Sequence, residues 1–222
     1  MRRGLSVHRR RVLVIAPDTD EANLPKKAIE ISAIQRYHEA TILRGTVRDQ
    51  DIAASIVEND FEIIWFIAHS NNDGVLLSDG ILDTTALIQY VKADSTSLCI
   101  LNSCDSEEVA IQIASQSGAD VICTIDQVDN KDALRLGQLL AGELAYCETY
   151  REAYELIVSP DSKYRYYEAR GQYRSYRSEH DDELLRMIYR MDSDIRILRW
   201  SVWVILAIVA LEGFFIWQLS MH

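Results

Sequence analysis

Two reactive side chains, His69 and Cys104, each follow a short apolar run in the middle of the sequence. The runs cover residues 63–68 and 98–101 and are bounded by polar residues. A free thiol with a pKa of about 8.5 is mostly protonated at neutral pH, and the thiolate is the nucleophile. A neighbouring imidazole raises the thiolate fraction by forming an ion pair, and it can then protonate a leaving amine. A His–Cys pair therefore indicates nucleophilic attack on an acyl group such as a peptide carbonyl.

The elements that carry these two residues are predicted to bring them together. Apolar runs of this length are typical of strands buried on both faces of a parallel sheet. Residues 84–91 between them predict a helix capped by Asp83 or Thr84. Strands joined by a crossover helix lie parallel, and open α/β sheets bind ligands at the carboxyl ends of such strands. The alternative interpretation is that Cys104 is a small core residue and His69 an ordinary loop residue. The matched positions favour the reactive pair.

The same alternation of apolar runs and amphipathic stretches continues along the chain, which predicts an α/β fold with helices on both faces of a parallel sheet. Asp79-Gly80 is a strong turn signal and predicts a hairpin between the two central strands. The further strands are expected at residues 12–16, 40–43 and 121–125. The further helices are expected at residues 25–37, at residues 106–117, and from a cap at Asp49 or Asp51 to about residue 58.

Composition excludes some classes of function and partner. The net charge of −11 over 222 residues argues against nucleic acid, whose phosphates attract basic surfaces. The four cysteines show no paired spacing that would indicate a disulfide framework or a zinc site, so we infer a reducing compartment. We expect no metal and no organic cofactor.

The C-terminal part differs in composition from residues 1–159, which we assign to the globular domain. Residues 160–199 are rich in Tyr and Arg and are predicted to form a linker and a juxtamembrane helix, although a basic aromatic binding surface is the alternative. Residues 200–219 are apolar and long enough to span the roughly 30 Å hydrocarbon core as a helix. Arginines precede this segment and none follows it, so the globular domain is expected in the cytoplasm and the protein in the membrane as a single-pass chain. A heptad pattern that begins at Leu184 indicates self-association, or packing of one amphipathic helix on its own domain.

Several segments in order resemble the CHAT domain, a caspase-like group of cysteine peptidases related to caspases, metacaspases and separase. The resemblance covers about residues 63–159, nearly half of the chain, and differs from the family at Ser70, where the family usually has Gly. It implies Cys104 as the nucleophile and His69 as the general base. The segments that carry the resemblance are IIWFIAHS, GVLLSDGILDTTALIQYV, LCILNSCDS, SGADVICTIDQVDNKDA and REAY.

Further candidate residues surround this pair. The backbone N–H groups of Ser70 and Cys104 are candidates for an oxyanion hole. In related peptidases the loop after the strand that follows the cysteine strand helps to line the specificity pocket. A carboxylate there would favour Arg or Lys in the substrate. The candidate substrate-binding acids are Asp105, Asp126 and Asp129. Asp129 also has a second interpretation, as the cap of the next helix.

The resemblance implies a caspase-like cysteine endopeptidase that acts on a protein or peptide substrate. Membership of such a group is compatible with a role in bacterial antiviral defence or regulated cell death. Because no sensor domain is recognisable, control is expected from a separate sensor or activator protein or from homo-oligomerisation in the membrane. The alternative is a catalytically inert caspase-like adaptor that recruits partners at the membrane. An acyltransferase or amidase with the same pair of residues is a third possibility.

Overall fold

A central sheet between two layers of helices forms the part of the protein that the structure describes. This structure is a computed structural model, and it describes residues 7–18, 27–94, 96–159 and 162–169. The strands are β1 (Arg11–Pro17), β2 (Glu39–Gly45), β3 (Ile63–Ile67), β4 (Ser70–Asn71), β5 (Gly74–Leu77), β6 (Gly80–Asp83), β7 (Leu98–Asn102), β8 (Asp120–Thr124) and β9 (Tyr164–Tyr167). The helices are α1 (Lys27–Tyr37), α2 (Asp49–Glu58), α3 (Thr84–Ala93), α4 (Glu107–Gln116), α5 (Asn130–Tyr146) and α6 (Tyr150–Ile157).

The central sheet is mixed and mostly parallel. Its six strands lie in the order β2-β1-β3-β7-β8-β9. The first five are parallel, and β9 pairs with β8 in the antiparallel direction. The expectation of a parallel sheet therefore needs correction at this edge. Tyr164 lies opposite Thr124 at the carboxyl end of β8, so a strand that starts there has to run the other way.

Strand β9 also extends the sheet past residue 159, where the predicted linker begins. Its sequence, Tyr-Arg-Tyr-Tyr, carries the aromatic residues that favour half-buried strands. Tyr164 is buried, and Tyr166 and Tyr167 are partly buried. The abundance of Tyr and Arg in this part of the sequence therefore contains a strand signal in residues 164–167.

Burial on both faces of the sheet explains why the strands are continuous apolar runs. In β3, Ile64 and Phe66 pack in a core cluster with residues of α2, α3 and α4. Ile63 and Trp65, on the opposite face, pack in a second cluster with residues of α1, α5 and α6. Every residue of β3 and β7 is buried, as the two apolar runs predict. The predicted α/β architecture with helices on both faces is thus confirmed.

The segment between the two central strands confirms the predicted hairpin and helix. Strands β5 and β6 form the hairpin around Asp79-Gly80, and Asp83 caps α3 by accepting a hydrogen bond from the Ala86 N–H at 2.9 Å. The added strand β4 pairs with β5, so the hairpin becomes a three-stranded sheet that begins directly after His69.

None of the helices in the described ranges is long and apolar enough to cross a membrane. The predicted transmembrane segment, residues 200–219, and the heptad pattern before it lie outside those ranges. Both stay predictions.

Candidate active site

His69 and Cys104 lie at one edge of the sheet and line one pocket. Strands β3 and β7 pair so that Ile67 lies opposite Asn102, and each reactive residue follows two positions later. Both side chains are partly exposed. The parallel register therefore brings an imidazole and a thiol to the same place in the fold.

A tight turn connects β7 to α4 and carries Cys104. Asp105 has a φ of 51°, which makes it the one non-glycine residue in the described ranges with a left-handed backbone. Such a conformation costs about 1 kcal/mol or more and recurs at functional sites, although Asp tolerates it better than most residues. Ser106 anchors the turn, because its hydroxyl donates to the Ser103 carbonyl at 3.0 Å and accepts from the Thr124 N–H at 3.2 Å. The turn places Cys104 two residues before Ser106, the N-cap of α4, where the helix dipole favours a negative charge.

Ser70 connects the hairpin to this turn. Its hydroxyl donates a hydrogen bond to the Cys104 carbonyl. The Leu76 N–H donates to the His69 carbonyl at 2.8 Å, so the backbone before Ser70 is also held. The side chain at the position where the CHAT resemblance expects Gly therefore has a structural role. The two backbone segments considered for an oxyanion hole are adjacent.

The imidazole of His69 has an unused nitrogen. Its Nε2 atom is buried and has no hydrogen-bond partner among the described residues. A buried polar atom without a partner is unfavourable by roughly 1–3 kcal/mol. The Cys104 thiol is not a partner either, so this structure contains no hydrogen bond between His69 Nε2 and the thiol.

A buried polar network that the sequence analysis did not identify lies next to the pair. Glu30 of α1 accepts hydrogen bonds at one oxygen, Oε1, from the Trp65 Nε1–H at 3.0 Å and from the Asn102 Nδ2–H at 2.8 Å. The Tyr164 hydroxyl donates to Asn102 Oδ1 at 2.6 Å. Glu30, Asn102 and Tyr164 line the pocket together with His69 and Cys104. The network joins α1, β3, β7 and β9, and Asn102 stands two residues before Cys104.

The carboxyl group of Glu30 is in an unusual electrostatic environment. It is 2% exposed, and burial raises its pKa to about 8, although the hydrogen bonds from Asn102 and Trp65 act in the opposite direction. Burial likewise raises the pKa of the Tyr164 hydroxyl. At neutral pH Glu30 is therefore mostly protonated, while the network around it stays uncharged.

Gly137 of α5 has no side chain, and the Glu30 carboxyl occupies the space where a Cβ atom would lie. A Cβ atom at Gly137 would lie 2.3 Å from Glu30 Oε1. Glycine inside a helix costs about 1 kcal/mol relative to Ala. Two features of the sequence could have indicated a buried Glu30. It stands four residues before Ile34, on the apolar face of the predicted helix 25–37, and a glycine, Gly137, occurs inside another helical stretch.

The three acidic residues predicted for substrate binding lie outside the pocket that His69 and Cys104 line. Asp105 is exposed and lines a separate, open cleft with the hairpin loop. Asp126 is exposed and forms an ion pair with Lys163 at 2.9 Å, and the hydrogen bond from Lys163 lowers the pKa of its carboxyl. Asp129 accepts from the Lys131 N–H at 2.9 Å and caps α5, which confirms its second interpretation. The carboxyl that lines the pocket is Glu30 instead.

The described residues form no group of three or more His, Cys, Asp or Glu side chains that could hold a metal ion. Comparison with protein-family models gives no match to the chain, and comparison with curated proteins gives none either. The fold and the pocket themselves define an α/β protein with a Cys–His pair at the carboxyl edge of a mostly parallel sheet.

Proposed function

We propose that this protein is a caspase-like cysteine endopeptidase of the CHAT type. One observation carries the proposal: His69 and Cys104 occupy matching positions after two register-paired strands and line the same pocket. The location agrees with the rule that open α/β sheets bind ligands beyond the carboxyl ends of their strands. His69 is the proposed base, and its Nε2 is not occupied by a hydrogen bond to another described residue.

The proposed reaction uses both residues twice. His69 takes the thiol proton, and the Cys104 sulfur attacks the peptide carbonyl to form a tetrahedral oxyanion. The N–H groups of Ser70 and Cys104 are the proposed donors to that oxyanion. His69 gives its proton to the leaving amine as the C–N bond breaks, which leaves an acyl-enzyme. A water molecule, deprotonated by His69, then attacks the thioester and releases the acid and the free thiol.

The other three cysteines are not candidates for the nucleophile. Cys99, Cys123 and Cys147 are buried, whereas Cys104 is partly exposed. Burial raises the pKa of Cys99, and it raises the pKa of Cys123 to about 12. A thiolate forms with difficulty at either position at neutral pH. Reaction with a small alkylating reagent should therefore be confined to Cys104.

Alkylation of the full-length protein tests the nucleophile. Iodoacetamide labelling followed by peptide mapping should show fast modification of Cys104, slowed in His69→Ala and unchanged in the exposed control His8→Ala. Cys147→Ala is the matched cysteine control and should label like the wild type. Labelling of Cys104 no faster than of the buried thiols would exclude the proposed dyad and favour an adaptor.

Peptide turnover tests the reaction itself. A peptide library incubated with the full-length protein should be cleaved, and Cys104→Ala should abolish cleavage. Transfer of the acyl group to an added amine without hydrolysis would instead indicate an acyltransferase.

We further propose that residues 200–219 anchor the protein in a membrane with the peptidase domain in the cytoplasm. The length and apolar character of the segment, and the arginines before it, support this topology. The full-length chain should stay with membranes after alkaline washing. The double variant Ile205→Arg, Ile208→Arg should be released, because each Arg at the centre costs about 2.5–3.5 kcal/mol on insertion scales. Equal retention of both chains would contradict the anchor.

A further inference from the structure

Two hydroxyl side chains hold the peptide group that precedes Cys104. The carbonyl oxygen of Ser103 accepts a hydrogen bond from the Thr124 hydroxyl, and it accepts a second one from the Ser106 hydroxyl at 3.0 Å. Both donor residues are buried. Thr124 is the last residue of β8 and Ser106 is the N-cap of α4, so two separate elements of the fold converge on one oxygen atom.

Further hydrogen bonds between Thr124 and Ser106 fix the positions of the two donors. The Ser106 hydroxyl accepts from the Thr124 N–H at 3.2 Å, and the Ser106 N–H donates to the Thr124 carbonyl at 3.1 Å. A hydroxyl has one hydrogen atom to donate. The Ser103 carbonyl, at 3.0 Å, is the nearer acceptor for that of Ser106, because the Thr124 carbonyl is 3.5 Å away.

The Ser103 carbonyl has one donor more than burial alone requires. A single hydrogen bond is enough to satisfy a buried carbonyl group. A second donor occupies the other lone pair, and hydrogen bonds to a carbonyl oxygen lie near the plane of that group. Two donors from different elements therefore resist rotation of the peptide group, which one donor would permit. The Thr124 hydroxyl thus fixes an orientation.

The orientation of this carbonyl determines the direction of the Cys104 N–H. Both groups belong to the same planar peptide unit, which is trans, so the N–H and the C=O point in opposite directions. The N–H of Cys104 therefore points away from Thr124 and Ser106. No described residue accepts a hydrogen bond from it.

We propose that Thr124 is a positioning residue: together with Ser106 it holds the Ser103–Cys104 peptide group so that the Cys104 N–H meets the tetrahedral oxyanion. This inference rests on the proposed peptidase function. Thr124 touches no reacting atom and acts only through the peptide group. A donor stabilises an oxyanion from a distance of about 2.7–3.1 Å, so rotation of the peptide group out of that range removes its contribution.

Two pairs of variants that differ by one hydroxyl group test this role in the full-length protein. Thr124→Val keeps the shape of threonine without the donor, and Thr124→Ser and Thr124→Ala form the same pair with a smaller side chain. Removal of an oxyanion donor lowers kcat by about 10²–10³-fold, and misorientation of a donor has part of that effect. For the best-cleaved peptide of the library, kcat should therefore be about 10- to 100-fold lower in Thr124→Val than in the wild type, and in Thr124→Ala than in Thr124→Ser. KM should change by less than about threefold, because the oxyanion is absent from the bound substrate.

Alkylation by iodoacetamide separates the orientation of the N–H from damage to the fold. The Cys104 sulfur displaces iodide at a saturated carbon, so a C–S bond forms and no oxyanion develops. All three Thr124 variants should therefore be alkylated at Cys104 within about twofold of the wild-type rate. Thr96→Val is the matched control, because Thr96 is also buried and donates to the Phe61 carbonyl at 3.4 Å, before the other end of β7. This variant should keep the wild-type kcat and KM.

The outcomes separate this inference from the function on which it rests. Equal kcat values within both pairs would overturn the role of Thr124. Equal losses of kcat and alkylation rate in both pairs would mean that Thr124 only supports the fold, and a rise in KM alone would mean that it binds substrate. Either result overturns the positioning role and leaves the peptidase proposal standing. If the wild-type protein cleaves no peptide, the peptidase proposal fails and this inference falls with it.

Discussion

Glu30 is expected to make the stability of the protein depend on pH, and Glu30→Gln should remove that dependence. The pKa of this carboxyl is about 8 in the folded protein, compared with an ordinary value of 4.5. Between these two values the unfolded chain has released the proton and the folded protein still holds it. The folded state therefore binds more protons than the unfolded state, and the free energy of unfolding falls as the pH rises.

The size of the effect follows from the same two values. One pKa unit corresponds to about 1.36 kcal/mol, so a rise from 4.5 to about 8 amounts to roughly 5 kcal/mol. A domain of this kind is stabilised by about 5–15 kcal/mol in total, so the loss is a large fraction of its stability. The loss begins near the unfolded value and is complete above about pH 8.

Urea denaturation of the full-length protein, followed by far-ultraviolet circular dichroism between pH 5 and pH 9, measures this effect. The difference in unfolding free energy between Glu30→Gln and wild type should grow by about 4 kcal/mol in favour of the variant across this range, because the remainder of the total is lost below pH 5. Glu58→Gln should follow the wild type, because its carboxyl is exposed. A difference that stays constant with pH would refute the assignment of a buried, protonated Glu30.

Three further substitutions test the packing and the turn around the site. Gly137→Ala should lower the free energy of unfolding by about 1–3 kcal/mol, because its Cβ would lie 2.3 Å from the buried Glu30 carboxyl. Gly142→Ala in the same helix is the control: the nearest atom to its Cβ would be 3.7 Å away, and the free energy of unfolding should rise by up to about 1 kcal/mol. Chemical denaturation measures both. Ser70→Ala removes the hydrogen bond to the Cys104 carbonyl, and we expect about 1 kcal/mol less stability and a lower kcat in peptide assays. Asp105→Gly should be more stable than Asp105→Ala by about 1 kcal/mol, because glycine accepts a φ of 51° without strain; equal stability of these two variants would contradict the strained turn.

The sequence predicts the central strands well because both of their faces are buried. The short, continuous apolar runs of β3 and β7 predict buried strands, and the helix between them allows the two strands to pair in parallel. Strand β9 was missed because its tyrosines and arginine resemble the composition of the segment that follows. Its pairing with β8 is a contact between distant residues that local composition does not encode.

In the candidate site, too, some features follow from the local sequence and others depend on contacts between distant residues. The meeting of His69 and Cys104 follows from topology alone, since each residue follows the end of a neighbouring parallel strand. The role of Glu30 depends on which elements pack around α1, and no local pattern gives that. Two of the acidic residues expected near the pocket contact residues close to them instead. Asp126 forms an ion pair with Lys163, and Asp129 caps the first turn of α5.

The hydroxyl of Tyr164 connects β9 to β7, the strand that leads to Cys104. It holds Asn102, which stands two residues before Cys104, and it belongs to the edge strand from which the chain continues toward the proposed membrane anchor. Separation of this edge strand from β8 would remove that hydrogen bond and, among the described residues, leave the side-chain amide of Asn102 bonded to Glu30 and Ala133. A change at the outer edge of the sheet would therefore alter the hydrogen bonds of the strand that leads to Cys104 without any contact to Cys104 itself.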